Sequence, residues 1–139
     1  MKHILTNASH EVLRFDLGDD VLTGLLEFSA REGIDAGWIS ALGAAKEVEL
    51  GYYEVKSKEY RKKIYNEFLE IATITGNIGR MNNKPVIHMH GSFGTRDYAT
   101  VSGHVHRLIA GATVEVFIHK IAWALNRAPD LTSGLNLLK

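Results

Sequence analysis

The 139 residues contain no cysteine. That excludes a disulfide framework, a thiolate nucleophile and any zinc site built on thiolates, so a metal here has to be held by imidazole, carboxylate or backbone oxygen. An excess of one charge is missing too, since Lys plus Arg number 16 and Asp plus Glu number 16. A balanced chain has no overall positive field to draw it onto a polyanion, which argues against nucleic acid as the default partner. Proline is scarce, with only Pro85 and Pro129, and no Pro-rich or Ser-rich linker divides the chain. One domain over residues 1–139 is the expectation, long enough to bury a core without a covalent staple. No apolar run is long enough to cross a bilayer, and the first twenty residues do not combine an apolar stretch with a small-residue cleavage site. The reading is a soluble, cytoplasmic protein with no membrane partner.

What the chain does have is β-forming sequence around one good helix. In "EVLRFDL", Val12, Arg14 and Asp16 alternate with Leu13, Phe15 and Leu17, the period of a half-buried strand. After Gly18, Asp19 or Asp20 can accept from the free N–H groups of a first helical turn, because a short carboxylate reaches them. Val21, Leu22, Leu25, Leu26 and Phe28 give that helix an apolar side and Gly33 a left-handed stop, so it runs from about Asp20 to Glu32. "AGWISALGAAKEVELGYYE" mixes small residues with β-formers, and Gly37, Gly43 and Gly51 predict strands joined by tight turns. In the charged run "EVKSKEYRKKIYNE", Glu54, Glu59 and Glu67 interleave with the bases. It reads as a solvated hairpin or loop whose Lys and Arg blunt an edge strand, rather than as a basic binding patch. "FLEIATITGNIG" predicts a central strand, "KPVIHMHGSF" another, "GATVEVFIHKIAWAL" one or two more, and "NRAPDLTSGLNLLK" a turn and a short closing strand. One helix, room for a second, and six to eight strands make an α+β domain on a largely antiparallel sheet.

Between Pro85 and His106 lie four of the seven histidines, as the pairs His88/His90 and His104/His106. In a strand, residues i and i+2 share a face about 6.5 to 7 Å apart, so each pair presents two imidazoles side by side, and pairs on neighbouring strands could converge. Three neutral imidazoles with a fourth position left to water form an open zinc centre, and the same donors suit copper, iron or nickel. The spacing alone is equally compatible with strand histidines satisfied by backbone or solvent. Gly103 beside His104 favours close backbone approach there. His3, His10 and His119 stand in unrelated contexts and are expected in ordinary surface or core roles. Glu70 in "FLEIA" and Glu115 in "TVEVFI" interrupt apolar strand patterns. If either faces the histidines it could orient an imidazole or serve as a general base, and the opposite parity turns it outward. Ser92 and Ser102 flank the histidines without an Asp partner or oxyanion hole in view. Phosphate-binding glycine loops and nucleophile elbows are absent.

The order of these features resembles the plants and prokaryotes conserved (PPC) domain over nearly the whole chain. The most specific parts are Pro-x-x-His-x-His at Pro85 to His90, the Gly-His at Gly103–His104, and Glu115 inside "TVEV". The resemblance implies a mostly antiparallel sheet flanked by helices, a homotrimer, and a metal, usually zinc, at His88, His90 and His104. His106 falls where the family is usually apolar, and Ser102 stands where many members carry a second glycine. Plant members join the domain to an AT-hook and are described as DNA-binding. This chain has no Arg-Gly-Arg-Pro hook, and its nearest basic stretch, "YRKKIY", lacks the Gly and Pro that fit a minor groove. Two functions follow as expectations. One is a metal-binding trimer whose open position takes a small molecule or anion, or carries out metal-assisted hydrolysis or hydration with Glu115 or Glu70 as base. The other is a non-enzymatic DNA-binding or regulatory oligomerisation module.

Overall fold

The structure, a computed structural model, describes residues 1–139. In chain order the elements are β1 (Lys2–Thr6), β2 (His10–Asp16), α1 (Val21–Glu32), β3 (Gly37–Glu54), β4 (Glu59–Tyr65), β5 (Leu69–Met81), β6 (Lys84–Gly94), β7 (Thr100–Lys120), β8 (Arg127–Pro129) and β9 (Asn136–Leu138). The first seven strands form one antiparallel sheet in the order β1-β2-β7-β6-β5-β3-β4. Strands β3 and β7 also pair with each other, so β3, β5, β6 and β7 close a ring of hydrogen-bonded neighbours.

Helix α1 forms where the caps predict it. Asp20 accepts from the Thr23 N–H, and Gly33 adopts the left-handed conformation at φ 64° that a residue without Cβ takes at little cost. The helix packs against β6 and β7 and buries Val21, Leu25 and Phe28. They join Leu13 and Phe15 of β2, Ile39 of β3, Ile74 and Ile78 of β5, Met89 and Phe93 of β6, and Val114, Val116 and Ile118 of β7 in one core. Strand alternation then sends the intervening residues to the other face. Trp38 and Leu42 of β3 and Phe117 of β7 stand there 54 %, 52 % and 42 % exposed.

The edge strand β4 and the turn before it occupy the charged run, as its composition predicts. Strand β5 is central, between β6 and β3. Three expectations are corrected. A second helix is absent and the sheet is not flanked by helices, because α1 alone covers the core. Gly37 begins the 18-residue β3, but Gly43 and Gly51 do not end strands and lie inside it, and the 21-residue β7 likewise runs through Gly103 and Gly111. Small residues let these two long strands bend and approach each other, with register shifts where they do. The tail forms a separate hairpin of β8 and β9. It is tied down by the Arg80 N–H on the Leu125 carbonyl at 2.7 Å, the Lys58 ammonium on the Leu131 carbonyl at 2.7 Å, and the Tyr53 hydroxyl on the Ser133 carbonyl. No helix is long and apolar enough to cross a membrane.

Candidate metal centre

Register decides which histidines meet. On the outward face, His90 of β6 lies directly opposite His104 of β7, and His88 sits two residues along β6 on the same face. One donor nitrogen from each of His88, His90 and His104 can be chosen so that all lie within 4.8 Å of one another. Ring centroids are 5.1 Å apart for His88 and His90, 5.1 Å for His88 and His104, and 5.4 Å for His90 and His104. The His88 and His90 Nε2 atoms are 3.2 Å apart. Tetrahedral zinc with Zn–N bonds of 2.0–2.1 Å places its nitrogens about 3.3 Å from each other, so this pair stands at ligand spacing. A hydrogen bond between two neutral imidazoles would explain the pair alone. It leaves unexplained the third ring and the His104 Nδ1, a buried polar atom without a hydrogen-bond partner.

The protonation states suit ligation. Burial, reinforced by His106, His88, His90 and Lys62, pushes the His104 imidazole down to about 4. Burial, then Arg127 and His90, also lowers His88. These rings are held in the neutral form a metal requires. Gly103 acts as anticipated: a Cβ there would stand 2.9 Å from the Gly51 carbonyl oxygen, so only glycine lets β7 approach β3 this closely beside His104.

His106 shares the face but is outside the cluster of three. Its ring lies 4.5 Å from that of His104 and 4.7 Å from Tyr60, edge to face with the latter, and its buried Nε2 is unpartnered against Gly51. Burial and Lys62 lower its pKa against the opposing pull of Glu49. Neither acidic candidate joins the cluster. Glu115 is exposed, in register with Arg14 and Leu42, and Glu70 is exposed opposite Gly94 and Ala44. Ser92 and Ser102 face each other on β6 and β7, next to the His90–His104 pair in the direction away from His88.

Sequence reasoning missed two features. His10 and His119 are direct partners across β2 and β7, with Nε2 and Nδ1 3.0 Å apart, so their contexts are one and not unrelated. Arg127, in the tail, lines a cavity of about 260 Å³ together with His88 and His104. No periodicity marks it, because the tail reaches the site only through its hairpin and anchors.

The sequence matches the family model of the Plants and Prokaryotes Conserved (PCC) domain over residues 5–122. The chain belongs to this family. PCC is the domain also abbreviated PPC, and the match takes in all three clustered histidines. Solved structures similar to this chain include the following three. A metal-containing protein from Archaeoglobus fulgidus is 35 % identical with a TM-score of 0.89, covering 100 % of this chain and 99 % of its own. A candidate DNA-binding protein from Bacteroides thetaiotaomicron is 26 % identical with a TM-score of 0.95, covering 99 % and 96 %. A PPC protein from Pyrococcus horikoshii is 23 % identical with a TM-score of 0.87, covering 99 % and 94 %. No curated protein matches the sequence.

Proposed function

We propose that this PCC-domain protein binds a zinc ion through His88, His90 and His104, with a coordination position left open to a small ligand, as a homotrimer. The observation that carries the reading is the convergence of three imidazoles with nitrogens within 4.8 Å. The lowered pKa values of His88 and His104 support it, as does the orphaned His104 Nδ1. The Archaeoglobus relative, described as metal-containing, supports a metal in general, and imidazole-only donors favour zinc among the metals of that class. Zinc held this way supplies a Lewis acid and acidifies water at its open position. The chain's own part is to keep the imidazoles neutral and to wall one side of the site with apolar side chains.

The trimer rests on the family resemblance and on the exposed row of Trp38, Leu42 and Phe117, whose apolar surface a second and third copy would cover. A DNA-contacting role, suggested by the description of the Bacteroides relative, has no net positive charge behind it in a chain with equal acids and bases.

The test is the metal content of protein purified without a nickel column. We expect one zinc per chain in the wild type and none in the triple His88/His90/His104→Ala variant, both sedimenting as three chains. Equal metal in the two proteins rejects the site, and a monomeric wild type rejects the trimer.

A further inference from the structure

Beside the histidines the tail hairpin forms one side of the 260 Å³ cavity, which stays open to solvent. Its apolar wall comes from Met81, Val86, Leu135 and Leu137, and His88 and His104 form part of the remainder. Arg127 is the cationic group that lines it apart from the imidazoles. Two of the guanidinium N–H groups are committed, one to the Asn136 carbonyl at 2.8 Å and one to the Asn77 side-chain oxygen at 2.7 Å. A guanidinium has five, and it stays protonated in a protein. Arg80, near it in space, is neutralised by Asp35 at 2.7 Å, but no carboxylate of the protein pairs with Arg127. Burial lowers its pKa, the mark of a cation held partly out of water without a counter-ion.

A half-buried cation with free donors in a mostly apolar cavity is electrostatically incomplete. The fork of a guanidinium matches a carboxylate. The cavity is smaller than the roughly 300–1,000 Å³ that receives drug-sized ligands, so its occupant is small. We propose that this cavity binds a short-chain aliphatic monocarboxylate, its carboxylate on Arg127 and its alkyl part against Met81, Val86, Leu135 and Leu137, beside the open metal position. This rests on the metal reading above and names the ligand class for that site. It also gives the tail a role: β8 carries the anion-binding group and β9 lines the cavity.

The test uses full-length protein loaded with cobalt, whose visible absorption reports ligands at the metal, titrated with isobutyrate, acetate, azide and inorganic phosphate. We expect isobutyrate to perturb the spectrum and to bind more tightly than acetate by roughly fourfold per added methylene that is buried. Arg127→Met should weaken isobutyrate at least about tenfold, the usual loss for a charge-assisted hydrogen bond, and leave azide, which needs only the metal, unchanged. Leu137→Glu, on the exposed rim, tests the same point without disturbing the Arg127 anchors and should also weaken isobutyrate alone. Wild-type isobutyrate affinity in both variants, or tighter binding of phosphate than of isobutyrate, overturns the proposal. If the protein takes up no cobalt, the metal reading fails by itself, and calorimetry on metal-free protein decides the cavity. Isobutyrate binding lost in Arg127→Met then upholds the carboxylate pocket, and no isobutyrate binding rejects it.

Discussion

His104→Gln is expected to cost more zinc affinity than the roughly 10–100-fold typical of changes outside the ligand shell, and to reduce the acid sensitivity of the metal-free protein at the same time. The two effects have one origin. The imidazole faces its β6 partner His90 across the strand pair and is desolvated there, with a pKa pushed down to about 4. In the unfolded chain it titrates near its ordinary value of about 6.5. Between these values the unfolded state binds the extra proton, so this contribution to stability is complete above about pH 6.5 and is lost progressively as pH falls to about 4. Allowing for partial solvent contact, the loss is on the order of 1–3 kcal/mol. His88 and His106, also depressed, add to it in the same direction. Urea unfolding of metal-free protein at pH 7.5 and pH 4.5 should show a smaller acid loss in His104→Gln than in the wild type, and chelator competition at pH 7.5 should show the lost zinc affinity. Equal acid losses would refute the desolvated imidazole, and unchanged zinc binding would remove His104 from the ligand set.

Lys120→Met is expected to destabilise the protein by about 3–5 kcal/mol at neutral pH, the range for stranding one member of a buried ion pair. Glu11 is 4 % exposed at the junction of β1, β2 and β7. Its carboxylate accepts from the Lys120 ammonium at 2.6 Å and the Thr6 hydroxyl at 3.1 Å, and lies 2.7 Å from His3 Nε2. Burial pushes its pKa up, but Lys120, His3 and Thr6 together outweigh that and hold it below the usual carboxylate value. The contribution of Glu11 is therefore present above the carboxylate range and disappears as pH falls below it. The stability gap between wild type and Lys120→Met should narrow by pH 4. A loss under about 1 kcal/mol at pH 7 would mean that the pair behaves as an exposed one.

Elements governed by near neighbours were legible in the sequence. Asp20, Gly33 and the apolar side of α1 act within one helix, and the alternation of Leu13 and Phe15 acts within one strand. The charged run announced its edge position because solvent is the only place for so many Lys and Arg side chains. The glycines misled. Gly43 and Gly51 look like turn residues in isolation, and inside β3 they instead mark close approach to β7, a contact with residues more than fifty positions away. Glu70 and Glu115 are exposed, as the histidines' outward face is, and position along the strands keeps them apart: Glu70 pairs with Gly94, beyond His90 on β6, and Glu115 lies near the far end of β7 from His104.

By itself the sequence determined an antiparallel α+β domain, the absence of thiolate ligands, and two imidazole pairs each on one strand face. The tertiary structure decided which three imidazoles meet, because only the register of β6 on β7 sets His90 opposite His104. It also decided that His10 faces His119 and that Arg127 reaches the histidine site from the far end of the chain. Caps and alternation depend on residues a few positions apart. Register and ring closure depend on the summed packing of strands distant in sequence, and no short stretch carries that information.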